Sequence, residues 1–162
     1  MASGDTLAVF TPQMNEPPAS NYATLDLRNL HPVLDYDDTT NETGICSNKM
    51  PQNYDGGGVT VYIVFSMTSA IADTVDWDVA FERIGVVLDI DADSFAAVNS
   101  VDNTTVSGTC GIPVSANVAF TNGAEMDEVV AGDDYRIKVI RDAASDDATG
   151  DAELISVEIR ET

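Results

Sequence analysis

The sequence predicts an all-β single domain, an antiparallel β-sandwich of jelly-roll-like type, on three observations. Short runs of β-branched and aromatic residues alternate with polar ones, clusters of Gly, Asn, Asp, Pro and Ser separate the runs, and helical spacing is confined to one short piece. Roughly eight to ten such runs fill two packed sheets better than one closed barrel.

Taken in order, Thr6 to Phe10 reads as a short strand, and Thr11 to Ser20 as a proline-bearing loop. Residues 1–20 are therefore expected as an irregular N-terminal arm, with the sandwich over 21–162. Tyr22 to Leu27, Pro32 to Tyr36 and Thr43 to Ser47 are short strand candidates. The clearest strand is Val59 to Met67, introduced by Gly56, Gly57 and Gly58, with Val59, Val61, Ile63, Phe65 and Met67 on one face. Val75, Trp77, Val79 and Phe81 then alternate with Asp76, Asp78, Ala80 and Glu82, a strand with one wet face. Ile84 to Ile90 and Pro113 to Phe120 are further strands, and Ala124 to Val130 is a helical turn stopped by Gly132. In Tyr135 to Arg141, Tyr135, Ile137 and Val139 point inward and the bases Arg136, Lys138 and Arg141 outward. Asp142 to Asp151 reads as an Asp-rich loop. The last strand, Glu153 to Glu161, carries Ile155, Val157 and Ile159 inward. Side by side, the last two strands would pair Glu158 with Arg136 or Lys138.

Charge narrows the partners. The chain has 162 residues, with 28 acids against 7 bases and a net charge of −21. Such a surface repels phosphate backbones and anionic bilayers, so neither nucleic acid nor membrane is an expected partner. No stretch approaches a membrane span, and Met1 to Asp5 lacks the basic and apolar regions of a signal peptide, which reads as synthesis in a cytoplasm. Cys46 and Cys110 form no CxxC and are expected as reduced, packed thiols.

Candidate chemistry is sparse. Asp89, Asp91 and Asp93 place carboxylates at alternate positions, the opening of a calcium loop, because hard cations take several oxygens at close range. Ser94 stands where an EF-hand needs Gly and Ser100 where it needs Glu, which excludes that motif. A looser calcium site on Asp89, Asp91 and Asp93 is the one metal expectation, against a solvated strand end; no other cofactor is expected. Asp35, Asp37, Asp38 and Glu42 form a second acidic group, and Asp133, Asp134, Asp142, Asp146, Asp147 and Asp151 a third. If these meet at one end of the sandwich, their repulsion would make divalent cations stabilising. His31 is the only histidine and no nucleophile motif is present, so the chain is not expected to be an enzyme. Among aromatics that could stack on sugars, Tyr22, Tyr36, Tyr54, Tyr62 and Trp77, the loop residue Tyr54 is the one expected at the surface, while Trp77 and Tyr135 are expected in the core.

Five phrases taken together resemble virion-associated β-sandwich proteins of tailed phages, including cyanophages: Asn15 to Ala19, Arg28 to Asp37, Asn53 to Val61, Trp77 to Arg83 and Ala131 to Arg136. The resemblance spans nearly the whole chain and brings no functional residues with it. It implies a capsid cement or decoration protein on the outer capsid surface of the virion, binding the major capsid protein and itself, as a trimer before a dimer. The capsid contact is expected on Thr6 to Pro18. The alternative is a tail or head fibre module that binds host surface glycans.

Overall fold

The structure, a computed structural model, describes residues 4–69 and 71–162; Met1 to Ser3, part of the signal-peptide reading, lie outside them. Among the described residues the strands are β1 (Thr6–Phe10), β2 (Thr24–Arg28), β3 (His31–Tyr36), β4 (Thr43–Lys49), β5 (Val59–Met67), β6 (Thr74–Ile84), β7 (Asn99–Thr105), β8 (Val114–Phe120), β9 (Asp134–Arg141) and β10 (Ala152–Glu161). They form two antiparallel sheets, the sandwich that alternation predicts. The six-stranded sheet runs β2-β3-β10-β5-β8, and β1 also pairs with β10. The four-stranded sheet runs β4-β9-β6-β7.

The core lies where the period of two puts it. Val59, Val61, Ile63 and Phe65 of β5 meet Val75, Trp77, Val79 and Phe81 of β6, all fully buried. Trp77 is gripped edge-on by Tyr36 and Phe65, with ring centroids 5.1 and 5.2 Å away. Gly58 sits where β5 meets β8, and a Cβ there would lie 2.6 Å from the Phe120 carbonyl oxygen.

β3 and β1 share one edge of β10. β3 pairs along Ala152 to Leu154 and β1 along Val157 to Arg160. The residues expected as an arm are thus docked: Leu7, Ala8 and Phe10 are core residues, and Glu16 N–H donates to Ile45 O at 2.7 Å. A deletion through Thr6 to Pro18 would remove part of the core along with any capsid contact. At the other end of the pair, Gly4 N–H donates to Glu161 O at 2.7 Å.

Several expectations need correcting. Ile84 to Ile90 is not a strand: β6 ends at Ile84, and the chain turns, leaving Val86 and Val87 94% and 98% exposed. Its apolar run lacks polar alternation. The strand in this region is β7, whose sequence Asn-Ser-Val-Asp-Asn-Thr-Thr is almost wholly polar and which, among the described residues, pairs only with β6. The helical piece shrinks to a 3-10 turn, Ala124–Met126, ended by Asp127 and Glu128 at φ of 53° and 56°. β9 and β10 lie in different sheets, so Glu158 meets neither Arg136 nor Lys138; it accepts from Thr6 at 2.5 Å and from Arg160 at 2.6 Å. Arg136 pairs with Glu82, and Lys138 lies 4.8 Å from the centroid of the Phe95 ring. A bulge between Leu154 and Ser156 reverses the phase of β10, so Ile155 leaves the core face for the outer one.

Arg141 also departs from expectation. It shares parity with Tyr135, Ile137 and Val139 and is fully buried, with its guanidinium paired to Asp146, itself buried, at 2.8 Å. The remaining donors reach Tyr36 O at 3.2 Å, Gly150 O at 2.8 Å and Ala148 O at 2.7 Å. Cutting this network leaves a buried charge without its partner, so Arg141→Met is expected to cost about 3–5 kcal/mol. Asp146→Leu on top of it should recover part of the loss, because the carbonyls stay unpartnered. Urea unfolding of both single variants and the double measures the coupling, and strict additivity would contradict it.

Candidate functional site

The outer face of the six-stranded sheet carries a groove of about 460 Å3, within the range of ligand sites. Local geometry builds it. Asn29 and Leu30, at φ of 46° and 67°, form a two-residue turn with both residues left-handed, the form that matches strand twist in a hairpin. That turn puts Arg28 and His31 side by side at one rim. The bulge in β10 throws Ile155 onto the floor, and Pro113, entering β8, makes the opposite rim. Val33 completes an apolar wall.

Arg28 spans the groove. Its Nη1 donates to Met67 O at 2.9 Å and bonds the carboxylate of Glu153, while Ser66 donates to the same carboxylate oxygen at 3.3 Å. Glu153, buried, is thus compensated by a charge-assisted bond. Gly111 packs against the guanidinium at φ +79°; a Cβ there would stand 2.8 Å from Nη2 and push the guanidinium aside.

Asp35 lies directly across from Glu153 on β3, a like-charge cross-strand pair. Asp35, Asp37, Glu42 and Asp151 line an adjoining acidic pocket of about 130 Å3. Burial first, then the charges of Asp151, Glu153, Asp26 and Glu42, pushes the Asp35 carboxyl up to about 6. Its Oδ1 is buried with no hydrogen-bond partner among the described residues. Burial also raises Glu42 and Asp151, whereas Asp37 is held low by the hydroxyl and backbone N–H of Thr39 and the backbone N–H of Thr40. Asp151 of the third acidic group thus joins the second, whereas Asp133 and Asp134, at the opposite end of β9, pair with Arg83 and Lys49. Carboxylate oxygens of Asp37, Asp38 and Asp151 lie within 4.8 Å of one another, and this trio has the donor type to hold a hard cation.

The calcium expectation at Asp89, Asp91 and Asp93 finds no such convergence among the described residues. Here the chain turns tightly, with Ala92 N–H and Asp93 N–H both donating to Asp89 O. The Asp89 carboxylate instead accepts from Asp91 N–H at 3.1 Å. Tyr54, expected at the surface, is buried, its hydroxyl bonded to Gly57 O. Tyr36 and Trp77 are core residues; Tyr22 is exposed, and Tyr62 lies half-buried on the outer sheet face under the Arg160 guanidinium, 4.4 Å from the ring centroid. His31 is exposed at the groove rim. Cys110 Sγ donates to Ser69 O at 3.1 Å, and burial pushes the Cys46 thiol up to about 12, so it stays protonated. The sequence offered no signal for Arg28, Ser66 or Glu153, which come from strands far apart in the chain.

Solved structures of the same architecture include a family 35 carbohydrate-binding module from an environmental isolate, with a TM-score of 0.55, 13% identity, and coverage of 94% of this chain and 92% of that one. The xylan-binding module CBM15 matches with a TM-score of 0.55 at 9% identity, over 96% of this chain and 97% of its own. The C-terminal CBM6 of LamC from Zobellia galactanivorans matches with a TM-score of 0.50 at 12% identity, over 97% of this chain and 100% of its own. At these identities the likeness is one of fold. No protein-family model and no curated protein matches the chain.

The acidic pocket gives the protein a measurable pH dependence. Asp35 titrates at about 6 folded against an ordinary 3.8, so between those values the folded state binds the extra proton and stability rises as pH falls. Further acidification protonates Asp37 and Asp147, both held low by hydrogen bonds, and stability falls again. Asp35→Asn should therefore stabilise the protein at pH 8 by on the order of 1 kcal/mol, after allowing for solvent screening of a part-exposed group, and by nothing at pH 4. Urea unfolding at both pH values checks this; an equal effect at both would remove the titration from the explanation.

Proposed function

We propose that the chain is a non-catalytic glycan-binding module whose site is the Arg28 groove. The observation that carries this reading is the groove's chemistry. A sugar ring presents vicinal hydroxyls along its edge and C–H groups on its faces. Arg28, Glu153, Asn29 and His31 offer donors and acceptors for the former, and Val33, Pro113 and Ile155 an apolar wall for the latter. Arg28 and Glu153 compensate each other, so the site is close to neutral within a chain of net charge −21. Six of the chain's seven basic side chains hold an acidic partner. Uncharged glycans are therefore the favoured class, because polyanions meet a repulsive field with few unpaired cations to receive them.

The fold shared with three carbohydrate-binding modules supports the reading. In the setting implied by the phage resemblance, such a module would be a tail or head fibre part that adheres to host surface glycans. The capsid cement role expected from the same resemblance draws no support from these neighbours.

A glycan array, followed by calorimetry on the best neutral oligosaccharide, tests the proposal. His31→Ala and Ile155→Ala, both away from the core, should each weaken binding about tenfold without moving the unfolding temperature. No binding to any neutral glycan, or binding indifferent to both variants, would refute it.

A further inference from the structure

β2 is the outer strand of the six-stranded sheet, and among the described residues nothing pairs with its far side. The two-residue hairpin makes Arg28 and His31 the closing pair, bonded to each other through the main chain. By alternation Thr24, Asp26 and Arg28 then spend their main-chain groups on β3, and Leu25 and Leu27 turn theirs to the free edge. The preceding residue fits this phase, since Ala23 N–H faces away from β3 and donates to Thr43 O at 3.1 Å.

The same edge is apolar. Leu25, Leu27 and Leu30 are 54%, 60% and 86% exposed, three leucines within six residues. Leu25 lies opposite the core residue Leu34, so the core face of the sheet runs on into β2, where its leucines are more than half exposed. β2 is Thr-Leu-Asp-Leu-Arg and carries no proline, bulge or lysine to blunt the edge.

We propose that the partner at this edge is a second copy of the chain, paired β2 to β2 about a two-fold axis at Leu27. Avoidance of like charges selects that register. With Leu27 facing its counterpart, Asp26 stands opposite Arg28 of the second copy and not opposite another aspartate, while each Arg28 stays tied to Glu153 of its own copy. An axis at Asp26 would set aspartate against aspartate, and two bodies of net charge −21 have little tolerance for another such contact. The Leu27 register also joins the outward N–H and C=O of Leu27 in both copies and brings leucines from both copies together beneath the joined sheet. This is the dimer, which stands after the trimer among the oligomers that the resemblance implies. Its grooves, on the outer faces, stay open side by side, although the dimer does not rest on the glycan reading.

Sedimentation equilibrium on the full chain at up to 200 μM is the test. The wild type is expected to approach twice its 17.2 kDa mass. Leu27→Lys and Leu30→Lys should each return it to monomer with unchanged near-ultraviolet circular dichroism, Leu30 being a turn residue outside the core. Val86→Lys, at the exposed loop after β6, should leave the dimer intact. A monomeric wild type at 200 μM, a trimer, or a dimer that survives both leucine variants would overturn the proposal.

Discussion

The buried ion pair between Arg141 and Asp146 is the constraint on which the rest of the arrangement depends. Arg141 ends β9 in one sheet, and β10 begins at Ala152 in the other. The guanidinium fills that gap: it holds Asp146, Ala148 and Gly150 of the crossing loop and Tyr36 at the end of β3. The loop thereby delivers Asp151 beside Asp37 and Asp38 and starts β10 in register with β3 and β5. A fully buried guanidinium is tolerable only when its donors are engaged, and this one satisfies them within one loop and one strand end. The position of Glu153 and of the Ile155 bulge, and with them the groove, follow from that anchor.

Much of the sandwich was legible because its inner strands obey a period of two. Val59 to Phe65 and Val75 to Phe81 needed only alternation to be placed, and both are buried as read. β7 was illegible for the opposite reason: a mostly exposed edge strand needs no apolar face, and Asn99–Thr105 has almost none. The run Ile84 to Ile90 misled because apolar composition without alternation does not distinguish a strand from an exposed turn. Arg141 was legible by parity and was misread by residue type, since a lone arginine is assigned to solvent unless its partner, here five residues on, is already known. The groove was not legible at all. It joins β2, β3, β5 and β10 through one unpaired residue in a ladder, and no linear pattern marks where a bulge will fall.

The acidic composition has a local counterpart in the sheet. Asp35 and Glu153 face each other across β3 and β10, an arrangement that costs stability in any sheet. One carboxylate is compensated by Arg28 and Ser66; the other carries the strain as a raised proton affinity. The two carboxyls thus have different environments although they are neighbours: one is tied into the groove, the other opens onto the acidic pocket at its side. Sites for hydroxyl-rich ligands and for cations, if both are used, would share a single rung of the ladder.

The pairing of β1 with the last half of β10 has a mechanical consequence. Thr6 lies beside Arg160, and Gly4 is bonded to Glu161, so the two ends of the described chain leave the sandwich at the same corner. A load applied between them would run along the β1–β10 hydrogen bonds, across the strands, and open them one at a time, as a zipper opens, rather than shearing the whole row at once. The first structure to go would be β1, which takes Phe10 out of the core. An adhesive part loaded through both of its ends would yield at low force, whereas one loaded between the groove and one end would resist with the full width of the sheet.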